Sequence, residues 1–368
     1  MTNKPSRRCS IDVENNSISQ EEEGAACASD GKPAKTMSNQ ERHFPVMLKE
    51  AIDLLEPRDG LIYVDVTAGA GGHLQELVNR VGAQSKIFAF DQDPQAIDAL
   101  QESLGKRVTF IHSNFRYLKE ALSRYGINTI DGGIIADLGV SSMQIDEKER
   151  GFSFQKDGPL DMRMNSKQSL TAHDIVNQWT EADIADIIYK YGEERNSRKI
   201  AKRIVESRPI NTTLELASIV AKCNYTGGRA SDKQNKKIRR NKNSPGFAGG
   251  GSGQNIHPAT RTFQALRMAV NAELESIEEF LEQAKQMLSP GARLVVITFH
   301  SLEDRIVKQF FKMGAQSCVC PPKLPLCQCQ KEVEFLIITR KPVTASSQEL
   351  LANIRSRSAK LRAGQKLN

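Results

Sequence analysis

The chain has 368 residues, 39% of them hydrophobic, and a formal net charge of +7; this length admits one large α/β domain with an insertion, or two modest domains. A mean hydropathy of -0.45 and the lack of any long apolar run exclude a chain built from membrane spans. Seven cysteines without a secretory leader favour reduced thiols or metal over a disulfide frame, in a cytoplasmic setting, and the cationic excess modestly favours a polyanionic partner.

Residues 1–42 are polar and carry the acidic run Glu21-Glu22-Glu23. They offer too little apolar surface to offset ordering entropy and read as a disordered tail. From His43 the pattern becomes regular. Apolar runs at 61–66, 86–90, 107–111, 132–137 and 293–299 predict strands, and helical patterns between the first few predict a doubly wound, mostly parallel sheet. The first strand leads into Gly69-Ala70-Gly71-Gly72-His73, and the second ends on Asp91. Glycines in such a turn let a ligand approach the backbone, and a carboxylate ending the next strand can accept both hydroxyls of a ribose. There is no Lys-Ser/Thr of a phosphate loop, and the run is Gly-x-Gly-Gly. Both facts suit S-adenosyl-L-methionine, which has a ribose and no pyrophosphate; a dinucleotide or a plain structural turn remains as an alternative at this point.

The stretch between Asp137 and Arg293 is far too long for one crossover. Residues 146–256 read as a mainly helical insert. Thr180 to Asp183 resembles a capping box, with Ile184, Ile187, Ile188 and Tyr191 on one helical face. Arg195, Arg198, Lys199, Lys202 and Arg203 then form a basic stripe, either a solvated face or a phosphate-binding one. Residues 226–255 form a basic, glycine-rich loop that is either an RNA contact or a tolerated insertion. Phe263, Leu266, Val270, Leu274, Ile277, Leu281, Ala284 and Leu288 mark a helix, whole or broken in two, that packs on the sheet before the fifth strand.

Ligands of open α/β sheets sit beyond the carboxyl ends of the strands. Here those ends carry Asp65 to His73, Asp91, Ser113 to Phe115, Asp137 to Ser142, and Phe299 to Asp304. The aperiodic stretch 149–164 interleaves Arg150, Phe152, Phe154, Lys156 and Arg163. That mixture suits stacking of an unpaired base with its phosphates held alongside, or an ordered loop whose phenylalanines plug the core. Cys318, Cys320, Cys327 and Cys329 offer four thiols; reduced thiols with no metal are the default and structural zinc the alternative.

The blocks Asp65-Val-Thr-Ala-Gly-Ala-Gly-Gly-His73, Asp137-Leu-Gly-Val-Ser-Ser142, Glu149-Arg-Gly-Phe-Ser-Phe154, Asp157-Gly-Pro-Leu-Asp-Met-Arg-Met164, Tyr191-Gly-Glu-Glu-Arg195, His257-Pro-Ala-Thr-Arg-Thr-Phe-Gln-Ala-Leu-Arg267, Phe299-His-Ser-Leu-Glu-Asp-Arg-Ile-Val-Lys308 and Arg355-Ser-Arg-Ser-Ala-Lys-Leu-Arg362 closely resemble, in order, the RsmH (MraW) family. The resemblance implies a Rossmann-like class I methyltransferase that transfers a methyl group from S-adenosylmethionine to N4 of a cytidine in 16S ribosomal RNA, at the decoding region. The implied partner is small-subunit RNA or the 30S subunit, with no membrane, and the oligomeric state is open. It also implies a methyltransferase domain over 43–145 plus 257–368, with 146–256 as the RNA-facing insert. Carried over by position, cofactor contacts fall on Gly71, Gly72, His73, Asp91, Phe115, Asp137 and Gln144. Met143 stands where many members have proline, and the 226–255 loop is longer and more basic than the family pattern.

In-line transfer requires N4 to be placed about 3–3.5 Å from the methyl group. An acceptor for its N–H favours the more nucleophilic amine. Asp137 and Ser141 are the candidates; as Asp137 cannot readily be both cofactor ligand and acceptor, its cofactor role takes priority, and His300 or Asp304 is the alternative group to orient the base. RNA contacts are expected at Arg150, Phe152, Lys156, Arg163, Arg195, Arg198, Lys199 and Lys202. The alternatives are an amino-methyltransferase of DNA or another RNA, and an assembly factor that binds adenosylmethionine without turnover.

Overall fold

A computed structural model of the chain describes residues 45–224, 257–320 and 329–368, with the side chains of Ser142, Met143 and Asn224 left aside. The expected tail over 1–42, the 226–255 loop and Cys327 lie outside the described residues. Seven strands form one sheet: β1 (Ile62–Asp65), β2 (Lys86–Asp91), β3 (Val108–His112), β4 (Gly133–Asp137), β5 (Arg293–Thr298), β6 (Phe335–Ile337) and β7 (Lys360–Lys366). Their order is β3-β2-β1-β4-β5-β7-β6. The first five strands run parallel, and β7 lies antiparallel between β5 and β6.

Successive residues of the parallel strands point to opposite faces, and both faces are apolar because helices cover both. Val64, Phe88, Phe90, Ile134, Ala136, Leu294 and Val296 meet the helices Leu118–Ser123, Glu273–Met287 and Ser301–Gly314. Tyr63, Ile87, Ala89, Ile135, Val295 and Ile297 meet Leu48–Leu55, Gly72–Arg80 and Pro94–Leu104. The chain leaves β1 toward β2 and β3, then returns to β4 on the other side. The crevice between the carboxyl ends of β1 and β4 is therefore the topological switch point.

Between β4 and β5 the helices Ala172–Gln178, Glu181–Gly192, Ser197–Glu206, Thr213–Asn224 and Thr260–Asn271 close around a separate apolar core. Thr180 caps its helix as its sequence implies, its hydroxyl accepting from the Asp183 N–H at 3.2 Å. The apolar stripe starting at Phe263 breaks at Ala272, whose φ of 47° is left-handed. Its first half, with Phe263, Leu266 and Val270, enters the helical core; only the second half, with Ile277, Leu281 and Ala284, packs on the sheet.

β6 and β7 are unforeseen by the hydropathy pattern. β6 is only three residues long. β7 reads Lys-Leu-Arg-Ala-Gly-Gln-Lys, yet Arg362 and Lys366 are buried. Arg362 Nε donates to Asp304 Oδ1 at 2.7 Å, and Lys366 Nζ lies 5.4 Å from the Phe335 ring centroid. Paired cations can occupy buried positions that composition assigns to the surface.

Candidate active site

The crevice is lined by three carboxylates from adjacent strand ends: Asp65 of β1, Asp91 of β2 and Asp137 of β4. Asp91 Oδ2 accepts the Gly69 N–H at 2.8 Å, and Oδ1 accepts the Asp93 N–H at 2.8 Å. Those bonds fix the carboxylate while leaving further lone pairs for a ribose. Asp65 Oδ1 accepts the Thr67 N–H at 2.9 Å, and Thr67 Oγ1 in turn accepts the Asp137 N–H at 2.6 Å. Oδ1 of Asp137 is fully covered and has no hydrogen-bond partner.

No lysine or arginine among the described residues pairs with any of the three. Burial, followed by the like charge of Asp91, pushes the Asp65 pKa up to about 7. Burial, then Asp65 and Glu303, push Asp137 up to about 8. Burial also raises Asp91, against the pull of its backbone donors. Carboxyl groups with no counter-cation suit a cationic ligand, which favours their ionised form, and Asp137 Oδ1 has no partner within the described residues.

His73 follows the glycine turn and lies buried, its Nε2 3.0 Å from the Val46 carbonyl oxygen. That contact assigns the proton to Nε2 and leaves Nδ1 as an acceptor. Burial holds the ring neutral, lowering its pKa to about 4. The glycines also meet a packing constraint. Gly71 has a φ of 81°, and a Cβ there would stand 2.4 Å from Leu100 Cδ2; one on Gly72 would stand 2.6 Å from Pro45 Cγ. The left-handed backbone favours glycine at 71, and the close approach of the Pro45 ring favours it at 72. The helix they open has no side-chain cap, so its first N–H groups remain available to an anion. Phe115, half-buried beyond β3, presents its ring edge to Phe280 with centroids 5.5 Å apart.

Gln144 is buried and its side-chain amide is engaged within the fold. Its Nε2 donates to Asp93 Oδ2 at 3.2 Å, while Oε1 accepts the Ser141 N–H at 3.1 Å. Ser141 Oγ accepts the Gln144 N–H at 3.3 Å, so this hydroxyl caps its own turn. Asp93, which the sequence reading missed, is a hub: Arg150 Nη1 donates to its Oδ2 at 2.8 Å. Arg150 Nη2 donates to the carbonyls of Arg163 and Met164 at 3.1 and 2.9 Å. With its donors so engaged, Arg150 is an internal tie and not the surface RNA contact expected.

Arg163 is likewise committed, through Nε and Nη2 to the Asp161 carboxylate at 2.8 and 2.7 Å and through Nη1 to the Gln168 carbonyl at 2.7 Å. Phe152 packs against the helical core, and Phe154 makes a tilted contact with His257 and an edge contact with Phe263, with centroids 4.7 and 4.8 Å apart. The core-plug reading of this loop is the one observed for the two phenylalanines; Lys156 is exposed.

At the end of β5, Glu303 accepts the Phe299 N–H at 2.8 Å, and its Oε1 lies 2.9 Å from His300 Nε2, off the hydrogen-bonding angle. Burial alone would raise the Glu303 pKa, but His300 and Arg267 outweigh it and hold it below the ordinary range. Arg267 in turn grips Glu273 through Nε and Nη2, each at 2.7 Å. Asp304 accepts from Lys360 and Arg362 of β7, at 3.2 and 2.7 Å, which removes it as a group that orients a substrate. Glu193 reaches across from the insert to Arg305 at 3.0 Å. Glu193, Arg267, Glu273 and Glu303 were not singled out from the sequence; the first two and Glu303 lie within the family blocks, which was their only signal, and Glu273 lies in none of them.

The basic stripe is exposed as a row on the Ser197–Glu206 helix and the turn before it. Lys199 donates to the Cys223 carbonyl at 2.7 Å, and Lys202 lies 3.9 Å from Glu206. Arg195 and Arg198 have no carboxylate partner among the described residues.

The 3-2-1-4-5-7-6 sheet with its antiparallel seventh strand, and carboxylates lining the switch point, define a class I methyltransferase. Residues 40–367 match the model of the MraW methylase family. The chain belongs to that family. It is 46% identical over 337 residues to the ribosomal RNA small subunit methyltransferase H of Paenibacillus sp. (strain JDR-2), covering 89% of this chain and 99% of the relative. Its likeness to the protein of the same name from Clostridioides difficile (strain 630) is 44%, covering 88% of this chain and 99% of that one. The Finegoldia magna (strain ATCC 29328 / DSM 20472 / WAL 2508) protein is 41% identical over 89% of this chain.

Proposed function

We infer that this chain transfers a methyl group from S-adenosylmethionine to N4 of a cytidine in small-subunit ribosomal RNA. The carrying observation is end-to-end similarity, at 46% identity, to a relative named as a small-subunit ribosomal RNA methyltransferase. The geometry of the crevice supports the same reading. S-adenosylmethionine supplies a methyl group already activated by a sulfonium charge. Asp65, Asp91 and Asp137 offer that cation three carboxyl groups with no counter-cation, whose ionised form it favours. Asp91 takes the ribose hydroxyls, Phe115 borders the adenine, and the uncapped start of the Gly72–Arg80 helix receives the carboxylate of the methionine end.

The uncovered part of the Asp137 carboxylate accepts a hydrogen from the cytidine N4, holding the amine in line with the methyl group. The attacking nitrogen becomes cationic and sheds its proton easily, so Asp137 needs only modest basicity, and its raised pKa suffices. The neutral His73 ring borders the Asp137 side chain, its Nδ1 3.8 Å from Oδ2; Gln144, Asp93 and Arg150 hold the loop that carries Ser141. The target base reaches this crevice only when unpaired or turned out of its stack. The insert over 146–256, with Lys156 and the exposed Arg195, Arg198, Lys199 and Lys202, forms the RNA-facing side. The substrate is small-subunit RNA or the 30S particle, in the cytoplasm. No helix of the described residues is long and apolar enough to cross a membrane.

The test is incorporation of labelled methyl groups into unmethylated small subunits, mapped to the nucleotide. Labelling of one cytidine N4, lost in Asp91→Ala, is the expected result. Methylation of naked duplex DNA in preference to the subunit, or no label in any RNA, overturns it.

A further inference from the structure

Between the Ser301–Gly314 helix and β6 the chain makes an excursion with neither helix nor strand among its described residues. Its neck is closed by the Glu334 N–H, which donates to the Gly314 carbonyl at 2.8 Å. Above the neck, Cys318, Cys320 and Cys329 bring their three sulfurs within 4.8 Å of one another. Long irregular excursions in a compact domain need something to hold them. Among the described residues of this excursion, Val319 is 56% exposed and contributes little to a core.

We propose that Cys318, Cys320 and Cys329 bind a structural zinc ion. Cys318 Sγ and Cys329 Sγ stand 3.8 Å apart. Thiolates at about 2.3 Å from a tetrahedral zinc are spaced by about 3.8 Å along each edge, whereas a disulfide requires about 2.05 Å. Two backbone N–H groups also point at the sulfurs: Val319 to Cys329 Sγ at 3.5 Å, and Cys320 to Cys318 Sγ at 3.4 Å. Such donors orient thiolate ligands and stabilise their charge.

On binding, three S–H protons pass to solvent as three Zn–S bonds form, and no electron is transferred. Thiolate softness selects zinc over magnesium or calcium. The described residues supply three of the four tetrahedral positions. A second three-donor cluster, Glu273, His300 and Glu303, is not a comparable site, because Arg267 already neutralises Glu273. The ion pins the excursion to its neck and takes no part in methyl transfer.

The test uses the full chain, purified without a polyhistidine tag from cells grown with zinc, and measures metal by elemental mass spectrometry. The expected result is about one zinc per chain, reduced to background in Cys318→Ser/Cys320→Ser/Cys329→Ser. As that variant could misfold, the wild type is also titrated with a thiol reagent before and after chelation. Chelation exposes three additional reactive thiols, and cobalt(II) added to the stripped protein gives a thiolate charge-transfer band. Wild-type protein with background zinc, no chelator-dependent thiols, or a Cys318–Cys329 disulfide in peptide mapping overturns the proposal.

Discussion

Asp137 Oδ2 stands 3.8 Å from His73 Nδ1, and the environment moves the two groups in opposite directions. Burial lowers His73 to about 4, while burial and then the charges of Asp65 and Glu303 raise Asp137 to about 8. Near neutral pH, then, the ligand-free pair is a neutral imidazole beside a carboxyl group that still holds its proton. A cationic ligand reverses that balance by favouring the carboxylate.

The sign of the pH dependence follows. Asp65 and Asp137 have folded pKa values above the ordinary 3.8, so the ligand-free fold holds protons that the unfolded chain has lost; their contribution to stability falls as pH rises from about 4 to about 8. His73 acts oppositely below its ordinary 6.5, costing stability as pH falls toward about 4. Adenosylmethionine binding should release protons at neutral pH, and its affinity should rise between about pH 6 and pH 8.5, by at most about tenfold per unit for each group. Asp137→Asn should flatten that rise and lower the methylation rate about a hundredfold. Calorimetry in buffers of different ionisation enthalpy measures both proton release and affinity; a pH-independent affinity contradicts this account.

Asp91 supports two backbone donors, Gly69 and Asp93, besides any ribose. Asp91→Ala should weaken adenosylmethionine binding by roughly 10- to 100-fold, since hydrogen bonds to a charged group are worth about 1.5–3 kcal/mol. A ligand lacking both ribose hydroxyls separates the two effects. Wild type and variant should bind it with nearly equal affinity; an undiminished gap would mean that Asp91 acts only by shaping the turn.

The five parallel strands were legible because burial on both faces makes each a continuous apolar run, as in Ile87-Phe88-Ala89-Phe90. The polar strand ends were legible because carboxylates there, Asp65, Asp91 and Asp137, have no structural reason to cluster. The remainder was hidden by pairing. Arg150 looks like a surface cation until Asp93 is seen beside it, and Arg362 looks like the end of a solvated tail until Asp304 meets it across the sheet. Likewise no periodicity reveals that Gly72 lies against the Pro45 ring. Such pairs are far apart in the chain, and only the fold brings them together.

Ala272 joins the Thr260–Asn271 and Glu273–Met287 helices with a φ of 47°. An L-residue in this region carries a strain of about 1–2 kcal/mol that glycine avoids. Ala272→Gly should therefore stabilise the fold by about 1 kcal/mol, after the added freedom of the unfolded chain is subtracted. Denaturant unfolding checks this, and a lower midpoint would show that the Ala272 methyl group matters more than its backbone.

Arg150 and Arg198 make the sharpest contrast, because the sequence assigns both to RNA and the fold separates them. Removing Arg150 leaves Asp93, which is 6% exposed, without its cation. Arg150→Ala should thus cost about 3–5 kcal/mol of stability. Arg198 is exposed on the helical face and makes no ion pair among the described residues. Arg198→Ala should change stability by less than about 0.5 kcal/mol while weakening RNA binding. It should also reduce the slope of log affinity against log salt by about 0.7, the value for one phosphate contact on a single strand. Unfolding curves and salt titrations on both variants decide the matter. A salt slope unchanged in Arg198→Ala would mean that the basic stripe is only a solvated face and that RNA approaches the crevice elsewhere.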